Sequence, residues 1–314
     1  MRFVVIGGGA VGLLYAARLH RMGQQVRVVT RTAGQAGRLQ SEGILLHDLQ
    51  GNKTNIDIAA TASTHRLPQA EIYLLTVKQT QLAEILPTLR CIPAESIVVA
   101  MQNGMGHGEQ LAKIARDNQL YLAVNTEGAR RISPVEVEHT GEGKLRLGPW
   151  RERNEQDPRI AHLLTILGST GIQPEYVPDV ERILWEKLIA NALINPLTAI
   201  HEVTNGTLLQ LPELVDMMRQ LFAEAAVVAA KCGQKFNETT WQEIVTICRN
   251  TSRNTSSMLQ DLRNGKETEI EAITGYIVQK GKEHGISTPR HETLRQVIRF
   301  KEQMKKLTHE RNFG

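Results

Sequence analysis

The chain opens with Arg2-Phe3-Val4-Val5-Ile6, a short run of strand formers that ends in Gly7-Gly8-Gly9-Ala10-Val11-Gly12. Leu13, Leu14, Ala16, Ala17 and Leu19 then carry a helical pattern to Gly23, and Gln25 to Thr30 reads as a second strand. A GxGxxG turn alone is a weak signal. Set between a strand and a helix and followed by another strand, it predicts a dinucleotide-binding α/β domain. Gly7 permits the tight turn, Gly9 lets a pyrophosphate approach the backbone, and Gly12 lets the helix pack close to the strand. Free N–H groups at the helix start hold phosphates, so Gly7, Gly8, Gly9, Ala10, Val11 and Gly12 are all candidate cofactor contacts.

At the end of the second strand, an NAD-binding fold needs a carboxylate for the ribose 2′-hydroxyl. Here the residues are Thr30-Arg31-Thr32, with no acid to repel a phosphate. Arg31 can meet the 2′-phosphate of NADP, and a charge-assisted hydrogen bond of about 1.5–3 kcal/mol gives roughly ten- to hundredfold preference. NADP(H) is therefore the expected cofactor. Glu71 to Lys78 reads as a buried parallel strand and Ile97 to Met101 as the next, which places Lys78 and Asn103 where strand ends face a ligand crevice. For each of the two, a polar strand terminus capping a loop is the alternative. Leu120 to Val124 reads as another strand, and Val135 to His139 with Lys144 to Leu147 as an antiparallel hairpin closing one sheet edge. His139 alternates with Val135 and Val137 and is read as structural.

A charged segment, Arg151 to Pro158, leads to a helix over Ile160 to Leu167, and the domain boundary is expected near Pro178. The predicted domains are thus 1–178 and 179–314, the second all-helical. Its helices are expected near Val180 to Ile194, Pro212 to Cys232, Glu238 to Cys248 and Glu267 to His284, with a last one after Pro289. In the first of these, Lys187, Asn191 and Asn195 share one face, flanked by Leu184, Leu188, Ile189, Leu193 and Ile194. Taken alone the stripe would also suit a solvated helix face. Its apolar surroundings point instead to a cleft. Asn195 precedes Pro196, which disfavours helical geometry there. Farther on, Thr255-Ser256-Ser257 and Thr268-Glu269 bring hydroxyls and acids into one segment, where helix capping is the competing role.

Composition removes several classes of function. With 314 residues the chain is long enough for two domains, and 41% hydrophobic with 22% charged residues suits a soluble globular protein. No apolar run approaches a membrane span, and the N-terminus does not read as a signal peptide, so a cytoplasmic location is expected. Cys91, Cys232 and Cys248 have no ligand spacing, which argues against a disulfide framework or a metal site. Net charge is +4 with dispersed basic residues, leaving nucleic-acid binding unsupported. Oligomeric state is open, a homodimer being one option because helical second domains often supply dimer surfaces.

Six stretches together resemble the ketopantoate reductase (2-dehydropantoate 2-reductase) family almost end to end. They are GGGAVG at Gly7 to Gly12, TVK at Thr76 to Lys78, QNG at Gln102 to Gly104, WEKLIANALINPLTAI at Trp185 to Ile200, and TSSMLQD with TEIE at Thr255 to Asp261 and Thr268 to Glu271. The resemblance implies an N-terminal Rossmann domain joined to a helical domain, with NADPH and ketopantoate in the cleft between them. It implies Lys187 as general acid and Asn103, Asn191, Asn195, Ser257 and Glu269 as substrate contacts. Arg31 and Lys78 resemble contacts to the NADPH phosphates, and Asn103 would also touch the cofactor. A related reductase of another keto acid, or a non-catalytic NADP-binding redox sensor, remains an alternative; the sensor has no use for Lys187.

Overall fold

The computed structural model describes residues 1–62, 66–116, 119–151 and 157–313, without the side chains beyond Lys305. Most of the charged segment expected at Arg151 to Pro158 lies outside the described residues. The chain divides into one compact unit of Met1–Gln102 with His107–Ile183, and a second of Asn103–Gly106 with Leu184–Gly314. This division falls within a helix. The first turn of that helix stays with the first unit because Val180 packs on Gly148, where a Cβ would come within 2.9 Å of the valine Cβ.

The strands are β1 (Arg2–Ile6), β2 (Gln25–Thr30), β3 (Ile44–His47), β4 (Lys53–Ile56), β5 (Ala59–Ala62), β6 (Ile72–Leu75), β7 (Ile97–Ala100), β8 (Leu120–Asn125), β9 (Gly128–Ser133), β10 (Glu136–Gly141), β11 (Lys144–Pro149) and β12 (Gln173–Tyr176). The helices of this half are α1 (Ala10–Arg21), α2 (Ala33–Glu42), α3 (Leu82–Leu89), α4 (His107–Leu111) and α5 (Pro158–Ser169). Eight strands form one sheet in the order β12-β11-β8-β7-β6-β1-β2-β5, parallel except where β11 meets β8. Its central strands are buried on both faces, which is why β1, β6 and β7 read as continuous apolar runs rather than alternating ones. Leu13, Leu14, Ala16, Ala17 and Leu19 of α1 are wholly buried in the same core.

The expected hairpin does not form. β10 pairs with β9 and β3 in a second sheet, ordered β4-β3-β10-β9, while β11 joins the main sheet between β8 and β12. Turn residues and alternation were satisfied locally, yet partner choice follows burial: β10 packs on α1, and β11 lies beside β12, against which α5 packs. Strand β6 also stops at Leu75, so Lys78 lies beyond the strand, just before a 3₁₀ turn over Gln79–Gln81.

The helical half contains α6 (Val180–His201), α7 (Pro212–Lys231), α8 (Glu238–Asn250), α9 (Ser257–Arg263), α10 (Tyr276–Glu283) and α11 (Pro289–Phe313). Two expectations need correction. Helix α6 continues through Pro196 to His201 instead of ending near Ile194. The ring costs the helix one hydrogen bond, but Leu193, Ile194, Leu197 and Ala199 are all buried around it, and Thr198 Oγ1 lies 2.8 Å from the Ile194 carbonyl and 2.7 Å from Ser256 Oγ. At its end Lys301 Nζ donates to the Ala199 and Ile200 carbonyls. The helix expected from Glu267 begins only at Ile270, with a π turn over Glu271–Gly275 leading into α10. Thr268 holds the lead-in: its N–H donates to Glu302 at 2.7 Å, and its hydroxyl accepts from Ile270 N at 3.2 Å. Among the described residues no helix is long and apolar enough to cross a membrane.

Candidate active site

In the first unit, the glycine turn joins β1 to α1. Gly7 has φ +126°, a region open to glycine, and its N–H donates to the Val29 carbonyl of β2 at 2.9 Å. Thr76, just past β6, lies 3.1 Å from the carbonyls of Ile6 and Gly7 through its hydroxyl, fixing the turn from the other side. A Cβ at Gly12 would overlap the Gly7 carbonyl, whereas one at Gly9 would meet nothing within 4 Å. Gly9 caps α1 without a side chain, and the first turn carries no acid. These are the features a dinucleotide phosphate needs: open space, free helix-start N–H groups and no negative charge.

Arg31 is exposed between β2 and α2, and among the described residues it pairs with no carboxylate. Thr32 caps α2 by accepting from Gln35 N at 3.3 Å. Lys78 is half-buried. Two further side chains meet the turn: Gln35 Nε2 and Arg131 Nη1 donate to the Gly8 carbonyl at 2.8 and 3.2 Å. Nothing in the sequence pointed to either, because Arg131 lies 123 residues away on the second sheet.

In the second unit, α6 carries Lys187, Asn191 and Asn195. Trp185, fully buried, packs edge-to-face on Tyr276 at 5.8 Å and so fixes α6 against α10. Lys187 is half-buried by surface exposure. Desolvation of its ammonium lowers the Lys187 pKa to about 8, and the Glu269 carboxylate partly opposes the shift. Glu269, 8% exposed, lies directly before the π turn. Asn103 Nδ2 donates to Glu269 Oε2 at 3.2 Å.

The loop carrying Asn103 is locked by its neighbours. Met105 N donates to the Ala272 carbonyl inside the π turn at 2.9 Å. Gly104, at φ +78°, lies against the same carbonyl, which a Cβ there would overlap. The loop and the π turn therefore set the Asn103–Glu269 pair through backbone geometry. The glycine of QNG was visible in the sequence; its partner at Ala272 was not.

Lys187, Glu269 and Asn103 are thus brought together. Asn191 follows Lys187 by one turn, and its side-chain amide forms no hydrogen bond among the described residues. Asn195 is buried, at 6% exposure. Ser257 is the exposed first residue of α9, while its neighbour Ser256 is the buried cap, accepting from Leu259 N at 3.2 Å. Helix capping thus falls to Ser256 and leaves the Ser257 hydroxyl uncommitted. No group of three or more His, Cys, Asp or Glu among the described residues could hold a metal ion.

A parallel-sheet unit with an open glycine turn and a helical unit with a desolvated lysine beside a carboxylate are the parts of a nicotinamide-dependent oxidoreductase. The chain belongs to the ketopantoate reductase PanE/ApbA family, whose model matches residues 3–152 and whose C-terminal model matches residues 179–302. A 2-dehydropantoate 2-reductase of Vibrio cholerae is 34% identical over 305 residues, 96% of this chain and 98% of its own. The solved structure of a probable 2-dehydropantoate 2-reductase from Bacillus subtilis, 33% identical, superposes with a TM-score of 0.83, covering 96% of this chain and 100% of its own. D-mandelate dehydrogenase, solved with NADH and anilino(oxo)acetate, has the same fold at 22% identity and a TM-score of 0.90, over 98% of this chain and 100% of its own.

Proposed function

We propose that this chain catalyses the NADPH-dependent reduction of 2-dehydropantoate (ketopantoate) to pantoate, a step toward pantothenate and coenzyme A. The observation that carries the reading is Lys187, an ammonium with a pKa brought down to about 8 beside Glu269 and Asn103. NADPH, when bound, supplies a hydride to the ketone carbon. As the C=O π pair moves onto oxygen, Lys187 Nζ gives that oxygen a proton. One C–H and one O–H bond form, and the ammonium is left as an amine.

With a pKa of about 8, Lys187 is about ten to one protonated at pH 7, yet it releases the proton more readily than an ordinary lysine. Glu269 keeps the proton on Lys187 against desolvation, and the Asn103 amide orients that carboxylate. Asn103 has a carbonyl and a second N–H left for the substrate and the nicotinamide. Asn191 orients the ketone or hydroxyl, and the Ser257 hydroxyl suits the substrate carboxylate. Asn195, buried beside Pro196, has a supporting role.

The phosphates fall to Gly7, Gly8, Gly9, Ala10, Val11 and Gly12, with Arg31 and Lys78 as the cations. Arg31→Ala is expected to weaken NADPH roughly ten- to hundredfold and leave NADH nearly unchanged, as read from KM for the two cofactors. Unchanged preference would remove Arg31 from the site. The reading as a whole is tested by loss of reduced-nicotinamide absorbance with ketopantoate beside a panel of other keto acids. Consumption with ketopantoate strongest is the expected result; faster turnover of another keto acid, or none, would overturn the substrate or the activity respectively.

A homodimer and a cytoplasmic location belong to the same proposal. Phe300 and Met304 give α11 an exposed apolar stripe, and the exposed Cys91 is not disulfide-bonded, as suits a reducing compartment.

A further inference from the structure

We propose that Arg131 is a second cation, acting with Arg31, for the 2′-phosphate of NADPH. The assignment rests on the cofactor reading above and adds a residue from a different sheet. Gly8 lies in the phosphate turn, and its carbonyl accepts from both Gln35 Nε2 and Arg131 Nη1. Gln35 also donates to the Pro134 carbonyl, in the turn between β9 and β10, at 2.8 Å. Three segments are thereby stapled at one point: the glycine turn, the first turn of α2 and the β9–β10 connection. Arg31 sits one residue before Thr32, the cap of that same first turn of α2. Arg31 thus follows the last residue of β2, where the 2′-hydroxyl or 2′-phosphate of a dinucleotide is read, and the Arg131 guanidinium reaches the glycine turn that follows the neighbouring strand β1.

The charge pattern points the same way. Neighbouring Arg130 is paired with Glu138, whereas Arg131 and Arg31 pair with no carboxylate among the described residues. The bond to the Gly8 carbonyl uses one of the five N–H donors of Arg131, leaving an exposed, charged fork at the turn. A planar fork of this kind recognises phosphate through two parallel hydrogen bonds. A Cβ at Gly8 would lie 2.5 Å from Gln35 Nε2, so a side chain there would displace the Gln35 amide that shares the Gly8 carbonyl with Arg131.

The test is equilibrium titration of the full chain with NADPH and with NADH, followed by the fluorescence of the reduced nicotinamide and without substrate. Arg131→Ala is expected to raise the NADPH dissociation constant roughly ten- to hundredfold and to leave that for NADH within about twofold. Arg131→Lys should restore part of the loss, and Arg130→Ala should change neither. In the double variant Arg31→Ala, Arg131→Ala, the two cofactors should bind alike. Equal weakening of NADPH and NADH by Arg131→Ala would assign the residue to holding the turn and overturn the proposal, as would no change in either. Failure of the unaltered chain to bind NADPH would instead sink the cofactor reading on which the proposal rests.

Discussion

Replacing Lys187 with alanine should lower kcat by about 10²–10⁴, the range supplied by a positioned general acid, while NADPH binding stays close to that of the unaltered chain. The glycine turn, Thr76 and Arg31, to which the phosphate contacts are assigned, belong to a different compact unit from Lys187. The pH dependence gives a second reading of the same group. Reduction needs the protonated lysine, and burial brings its pKa down to about 8. Activity should therefore decline as pH rises through about 8, well below the titration of an ordinary lysine. Glu269→Gln removes the charge that opposes the shift, so the declining limb should move to lower pH. In Lys187→Ala the limb should vanish. Turnover unchanged in Lys187→Ala, or a limb that stays in place in Glu269→Gln, would sink the proposed acid.

Gly104→Ala should lower kcat/KM by about 10²-fold, although the added methyl touches neither lysine nor carboxylate. At φ +78° an L-residue is strained, by about 1–2 kcal/mol, and its Cβ would overlap the Ala272 carbonyl that Met105 N–H also binds. The loop must retreat from the π turn, and Asn103 moves away from Glu269 with it. A displacement of about 1 Å in such a constellation costs on the order of 10² in rate. The proposed phosphate contacts at the glycine turn and Arg31 belong to the other unit, so NADPH affinity should fall far less than kcat/KM, with thermal unfolding shifted only modestly. Kinetics like those of the unaltered chain would show that the loop does not set the site. Unfolding of the variant is separated from misplacement by its thermal melt, read beside the kinetics.

These two expectations rest on different kinds of information. The lysine was legible in the sequence because a helix repeats every 3.6 residues: Lys187, Asn191 and Asn195 had to share a face whatever the helix packed against. The strand, glycine turn and helix at the N-terminus were legible for a similar reason, since Gly7 and Gly12 answer steric demands made within a few residues. Long apolar runs at β1 and β7 marked strands buried on both faces. Such features are local, and local sterics and periodicity suffice to specify them.

Other features required the folded chain. Val135 to His139 and Lys144 to Leu147 carried every local mark of a hairpin and still parted to different sheets, because β10 finds its buried face against α1 and β11 its partners in β8 and β12. Pro196 read as an end to α6, yet burial on both sides of it and the Thr198 hydroxyl sustain the helix. The π turn at Glu271–Gly275 had no sequence mark at all, and it presents the Ala272 carbonyl to a loop far away in the chain. Asn103 meets Glu269 across 166 residues, and Arg131 meets Gly8 across 123. The sequence by itself determined the nucleotide turn and the polar face of α6, since each is written in residues that are neighbours along one element. Only tertiary packing decided which carboxylate stands beside the lysine, how far its pKa falls and which second arginine reaches the turn, because desolvation and long-range pairing exist only once distant segments are in contact.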